Sequence, residues 1–149
     1  MPANTPSISL QLVSEYVSAL SNKDTERMNA LRSPDFALDW VHGDAFDNAP
    51  LSEEDTRQFW PAWFAGFPEM DYEVTRTIAA AEVVVTQWIF SGVNAAELGA
   101  PVFDPPAVAT NRVIRFRGVT VYDVSKGLIQ RETTYLDLAT LVVELGVEL

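Results

Sequence analysis

Leu128-Ile129-Gln130-Arg131-Glu132-Thr133-Thr134-Tyr135-Leu136 runs straight into Asp137-Leu138-Ala139-Thr140-Leu141-Val142-Val143-Glu144-Leu145-Gly146-Val147. The first half is a strand. The second half opens on an aspartate suited to capping a helix and closes on leucine-glycine, a helix stop. Working backwards, Ser125-Lys126-Gly127 is a short turn with glycine, so Arg112 to Val124 is a long strand antiparallel to Leu128–Leu136. Val83 to Phe90 is a continuous apolar run rich in β-branched residues and reads as a central strand. Before it, Tyr72, Val74, Arg76 and Ile78 alternate with Glu73, Thr75 and Thr77. Between the last two of these strands lies Asn94 to Ala109, where Pro101, Pro105 and Pro106 predict a stiff loop at a rim.

The N-terminal third has helical spacing. Leu12, Tyr16 and Leu20 stand four apart with Val13 and Val17 beside them, and Thr5-Pro6 or Ser7 can begin that helix. Asn22 or Asp24 begins a second helix that must stop near Ser33, because Pro34 disfavours helix in the residue before it. Phe36, Leu38 and Trp40 then alternate on one strand face, which His42 shares if the strand continues. A third helix starts at Ser52, a cap followed by three acids, and carries Phe59, Trp63 and Phe67 at steps of four. Pro61 inside it predicts a kink or a split. Helices followed by a meander of strands give an α+β fold. One domain spanning 1–149 is expected, with the sheet curled and the helices from Ile8 to Leu31 and Ser52 to Phe67 on its concave side.

Composition narrows the function. Apolar residues make up 48% and charged residues 21% of the 149, as in ordinary globular domains. No run approaches the roughly 18 apolar residues of a membrane span, and Met1–Ser9 lacks the basic start and apolar segment of a secretory signal. With no cysteine, disulfides and thiolate chemistry are excluded, and a cytoplasmic location is the expectation. A net charge of −11 repels phosphate backbones and anionic lipid, so neither nucleic acid nor membrane is an expected partner. One histidine and scattered acids show no ligand spacing, so no metal is expected, nor any other cofactor.

Four stretches together carry a family resemblance: Tyr16-Val17-Ser18-Ala19-Leu20 through Pro34-Asp35; Phe67-Pro68-Glu69-Met70-Asp71-Tyr72-Glu73-Val74; Val83-Val84-Val85-Thr86-Gln87-Trp88 with Ser91-Gly92-Val93-Asn94; and Gly118-Val119-Thr120-Val121-Tyr122 through the tail. In this order and spacing the chain resembles the SnoaL-like polyketide cyclases, within the NTF2-like fold. The resemblance implies a cone whose curved mixed sheet and helices enclose a pocket. It places the family's general acid at Thr134 and its polar partner at Thr120. A threonine hydroxyl is no acid near neutral pH, although the pair can hydrogen-bond a ligand carbonyl. The register of the related limonene-epoxide hydrolases puts their catalytic positions on Trp88, Phe90 and Thr134. That of the ketosteroid isomerases matches their oxyanion-hole tyrosine to Tyr16 but places their catalytic aspartate on Trp40, with Asp39 pointing the other way. Epoxide hydrolysis and steroid isomerisation by those mechanisms are therefore not expected.

Positions charged in catalytic relatives are thus aromatic or hydroxyl here. Trp40, Phe59, Trp63, Trp88, Phe90 and Phe116 would give a flat-walled apolar pocket for a polycyclic or polyketide-like ligand, or else simply fill a core. Tyr16, His42, Glu132, Thr120 and Thr134 are the candidate catalytic groups. Glu132 shares strand parity with Thr134. Facing inward it would be a carboxyl in an apolar cavity with a raised pKa; otherwise it would pair with Arg112, Arg115 or Arg117. On the opposite face Val113, Arg115, Arg117, Val119 and Val121 imply a second buried surface, and the resemblance implies a homodimer through the sheet. Two functions remain open: a cofactor-independent cyclase- or isomerase-like enzyme, and a non-catalytic ligand-binding or accessory protein that kept the cone and lost the acids.

Overall fold

The computed structural model describes residues 5–41 and 49–147, with side chains from residue 8 onward. Helix α1 (Thr5–Ser21) and helix α2 (Thr25–Ala30) precede strand β1 (Arg32–Val41) and helix α3 (Glu53–Gly66). Strands β2 (Glu69–Ala80), β3 (Val83–Val93), β4 (Val113–Ser125) and β5 (Leu128–Leu136) follow, and helix α4 (Leu138–Leu145) is the last element among the described residues. The strands form one curved mixed sheet in the order β1-β5-β4-β3-β2. Only the β1–β5 pair is parallel. The fold is α+β, an NTF2-like cone.

Local chemistry places the elements. Asp24 accepts from the Arg27 amide at 3.0 Å and opens α2. Ser52 accepts from the Asp55 amide at 3.1 Å and opens α3. Each such cap contributes about 1 kcal/mol. The β4–β5 hairpin turns on Lys126 and Gly127, both with positive φ (56° and 72°), the two-residue geometry whose twist suits antiparallel strands. Of the kink or split that Pro61 predicts, the split does not occur. The helix runs unbroken to Gly66, and the Trp60 and Phe64 rings stack across the proline at 5.6 Å.

Helix α4 exists where it does because β5 is shorter than β4. The last β5 residue in register is Leu136, opposite Gly118, which leaves the first part of β4 without a strand neighbour on that edge. The chain turns at Asp137, whose amide donates to the Arg117 carbonyl at 3.0 Å and whose carboxyl caps α4 through the Thr140 amide at 3.1 Å. Glu144 then accepts from the exposed Arg115 amide at 2.6 Å. Arg112 donates to the Glu144 carbonyl at 3.1 Å. The helix thus covers a strand edge that would otherwise be open to pairing.

Three register shifts decide which side chains face inward. In β1, Arg32 pairs with Ile129 and Ala37 with Arg131, so residues 33–36 form an irregular bow where Pro34 cannot donate to a ladder. In β2, Val74 faces Trp88 and Arg76 faces Gln87, so Thr75 is an extra residue. Beyond it the inward phase changes from even to odd, and Ile78, expected on the same face as Tyr72, is 49% exposed on the other side. In β5, Ile129 lies opposite Val124 and Arg131 opposite Asp123, so Gln130 is the extra residue. That bulge lets the apolar Ile129 and the acidic Glu132 both point into the core, three residues apart.

The long connection after β3 is packed rather than loose. Asn94 is fully buried. Its side-chain oxygen accepts from the amide and the hydroxyl of Thr110, both at 2.9 Å, and its amide group donates to Ala96 at 3.0 Å. Leu98 pairs with Ala107 in a short antiparallel bridge. Gly118 marks the tightest approach in the sheet. A Cβ there would lie 2.5 Å from the Trp88 ring and 2.6 Å from the Tyr135 carbonyl. Because one of those atoms is backbone, Gly118→Ala is expected to cost about 1–3 kcal/mol, readable as a lower denaturation midpoint with an unchanged slope.

Candidate functional site

Two kinds of side chain meet in the cone. The first is aromatic. Helix α3 presents Phe59, Trp60, Trp63 and Phe64, with Phe67 at its C-cap, all buried, while β1, β3 and β4 supply Trp40, Trp88, Phe90 and Phe116. Trp40 lies 4.8 Å from Phe59, Trp63 5.1 Å from Phe90, and Trp88 5.7 Å from Phe116, mostly edge-on or tilted as ring quadrupoles prefer. Tyr72 of β2 stacks on Trp88 at 5.1 Å. These rings surround a cavity of about 10 Å³, lined by Trp40, Trp60, Trp63, Tyr72, Trp88, Phe90, Phe116 and Thr134. That is room for about one water. All four tryptophans of the chain line it.

The second kind is polar, which is costly in such surroundings unless every group is partnered. Thr120 and Thr134 are opposite each other on β4 and β5, with hydroxyls 3.0 Å apart. Trp88 donates its indole N–H to Thr120 at 2.9 Å. The next inward rung pairs Tyr122 with Glu132. Glu132 is 1% exposed. Its Oε2 accepts from the Tyr16 hydroxyl at 2.8 Å and from the Trp60 indole at 3.4 Å. Tyr16 in turn accepts from Arg32, at 3.1 Å from Nε and 2.7 Å from Nη2.

Burial pushes the Glu132 carboxyl above the ordinary range, since desolvation disfavours its charged form. The nearby Arg32 charge and the bonds from Tyr16 and Trp60 partly oppose this. Burial, followed by the Glu132 charge, raises Tyr16 and Tyr72 well above an ordinary phenol. Burial also raises Tyr122, with Tyr72 the next cause. At neutral pH these phenols therefore keep their protons and are not bases. A carboxyl titrating above its usual range and backed by donors has the chemistry of a proton-transfer group.

Of the candidates from sequence, Tyr16 and Glu132 touch directly, and Thr120 touches Thr134. Trp40, Trp63, Trp88, Phe90 and Phe116 edge the cavity, and Phe59 packs behind Trp40 and Trp63. His42 lies outside the described residues. The alternative pairing of Glu132 with Arg112, Arg115 or Arg117 is not what forms. Arg115 and Arg117 lie on the outward parity of β4, Arg112 donates to the Glu144 carbonyl, and the cation near Glu132 is Arg32. Asp39, as expected, points away and pairs with Arg131 at 2.7 Å. Arg32, Trp60, Tyr72 and Tyr122 were not singled out from sequence. Trp60 was legible in principle, one step from Phe59 on a broad apolar stripe. Among the described residues no group of His, Asp and Glu could hold a metal ion. No helix there is long and apolar enough to cross a membrane.

The model of the SnoaL-like domain matches residues 13–132. The chain belongs to the SnoaL-like family. The match spans α1 to the inward carboxyl of β5 and stops short of the Asp137 tail. Among solved structures, this SnoaL-like chain superposes on a proposed SnoaL-like polyketide cyclase from Jannaschia sp. CCS1 with a TM-score of 0.81, at 13% identity over 100% of this chain and 99% of that one. AclR, a proposed hydroxylase from Streptomyces galilaeus, gives 0.79 at 17% identity over 95% and 82%. IdmH, a proposed polyketide cyclase from Streptomyces antibioticus, gives 0.73 at 22% identity over 93% and 99%. At such identities these structures establish the shared cone. No curated protein sequence matches the chain.

Proposed function

We propose that this SnoaL-like protein is a cofactor-independent cyclase- or isomerase-like enzyme acting on an apolar, polycyclic or polyketide-like substrate. The single observation that carries the proposal is a fully buried carboxyl, Glu132, held by the Tyr16 phenol and by the indole of Trp60, which itself lines the aromatic cavity. A stability-optimised core has no use for an acid there. In this reading Glu132 moves the proton and Tyr16 orients it. Thr134, on the cavity wall, offers its hydroxyl to a substrate carbonyl. Trp88 has only a proton to give, so Thr120 accepts from it and can pass its own proton to Thr134, leaving the Thr134 proton free for the ligand. His42 remains a candidate base in the same proposal. The aromatic rings are the ligand's walls and must part to admit more than a water.

That narrowness supports the second reading, a non-catalytic ligand-binding or accessory protein. One experiment separates the two. Because every tryptophan lines the cavity, titration with a polycyclic aromatic ketone read by tryptophan fluorescence reports binding, while absorbance of the same ketone reports turnover. The enzymatic reading expects Glu132→Gln to bind within a few-fold of wild type and to lose about 10²- to 10⁴-fold in rate. Saturable quenching across a panel of such ketones with no turnover in wild type would leave the binding protein. The same proposal includes a homodimer through the outer sheet face, in the cytoplasm. Its support is the exposure of Ile78, Val83, Val113 and Tyr135 there. Sedimentation at micromolar concentration checks it.

A further inference from the structure

We propose that Arg32 is a positioning residue: it fixes the direction of the only proton Tyr16 owns and thereby confines the titrating proton of Glu132 to Oε1. This rests on the reading of Glu132 as the proton-transfer group.

The inference follows from counting donors. A guanidinium has donors and no acceptor. Arg32 brings two of them, Nε and Nη2, to one oxygen, the Tyr16 hydroxyl. Both phenol lone pairs are thereby engaged, so the phenol's single proton can go only to its third neighbour, Glu132 Oε2 at 2.8 Å. The Trp60 indole, also a pure donor, approaches the same oxygen. Oε2 is thus an acceptor in both protonation states, and a proton taken up by Glu132 must sit on Oε1.

Arg32 is itself anchored. Its Nη1 donates to Asn29 at 3.0 Å, and its carbon lies 4.4 Å from the centre of the Phe36 ring. The groups facing Glu132 are Tyr16 from α1, Arg32 from β1, Trp60 from α3, Tyr72 from β2 and Tyr122 from β4. Among these, Arg32 alone is positively charged, so it also favours the ionised carboxylate. Charge and orientation are separable, because lysine keeps the charge as a point but not the planar fork.

The test is infrared spectroscopy of the ligand-free protein across a pH titration. The protonated-carboxyl C=O band that disappears in Glu132→Gln belongs to Glu132. In wild type that carbonyl is Oε2 with two donors, so the band is expected at low frequency. Tyr16→Phe should raise it. Arg32→Met should raise and broaden it, because the phenol proton is no longer directed, and should move the Glu132 midpoint to higher pH. Arg32→Lys should return the midpoint towards wild type while the band stays displaced. That split is a signature that loss of packing alone does not produce, and it can be read even if Arg32→Met fails to fold. A wild-type band position in Arg32→Lys overturns the proposal, as does a midpoint that fails to return with the charge. No substrate enters the measurement. A midpoint that returns while the band stays displaced, in a protein without turnover, keeps the role of Arg32 and sinks only the enzymatic reading.

Discussion

Trp63→Ala is expected to lower the unfolding free energy by about 3–5 kcal/mol. Trp63 is 2% exposed and sits at the hub of the aromatic cluster. Its rings meet Trp40, Phe59, Trp60, Phe67, Phe90 and Phe116 at centroid distances of 4.9–6.4 Å. These neighbours come from α3, β1, β3 and β4, so no single element can shift to refill the space. Truncation removes transfer free energy and leaves a cavity that merges with the small one already present. Trp63→Phe makes an informative contrast. The Trp63 indole N–H is buried without a hydrogen-bond partner, so phenylalanine gives up volume but also removes an orphaned donor. It is expected to cost far less than alanine. Urea unfolding with an unchanged slope measures both. A loss below about 1 kcal/mol for alanine would mean the aromatic box collapses freely. The same variant should bind a small aromatic molecule that the wild type excludes, provided the new space stays dry.

Sequence reached the elements and most of the wall, but not the wiring. The β4–turn–β5–α4 unit was legible because each part carries its own signal: a glycine turn, alternation, an aspartate cap and a glycine stop. The parities of Trp40, Trp88 and Thr134 were legible for the same local reason. Ile78 was misplaced because one inserted residue, Thr75, inverts every side chain beyond it, and alternation in a sequence carries no mark of where a bulge falls. The same device worked unseen in β5, where Gln130 turns Glu132 inward. The Tyr16–Glu132 bond joins residues 116 apart, and Arg32 reaches Tyr16 from a helix–strand junction, so no local pattern links the three. Each was readable as a residue type; only the fold shows that they form one hydrogen-bonded line. Of the kink or split expected at Pro61, the split does not occur: α3 continues through the proline with Phe59, Trp60, Trp63 and Phe64 all buried.

Glu132→Gln is expected to be more stable than wild type at neutral and higher pH, with the advantage vanishing in acid. The sign follows from linkage. In the folded protein Glu132 titrates above the ordinary value of 4.5, because burial outweighs the help of Arg32, Tyr16 and Trp60. Above that ordinary value the folded state therefore holds the proton more tightly than the unfolded chain does. Stability contributed by this group is fully present below about 4.5 and is lost as pH rises through the folded value. Glutamine keeps an oxygen for Tyr16 and Trp60 but carries no charge to desolvate, so it escapes the loss. Glu132→Leu separates charge from hydrogen bonding. It removes the acceptor as well and strands the Tyr16 hydroxyl and the Trp60 indole, at about 1–3 kcal/mol for each buried donor left without a partner. Melting temperatures of the three proteins from pH 4 to pH 9 should therefore show both variants gaining on wild type as pH rises, the glutamine variant ending above it and the leucine variant lying below the glutamine variant by a margin that does not change with pH. A glutamine variant whose advantage shrinks as pH rises would show that Arg32 outweighs burial and that Glu132 is a settled carboxylate. A proton-transfer role near neutral pH would then have to move to another group.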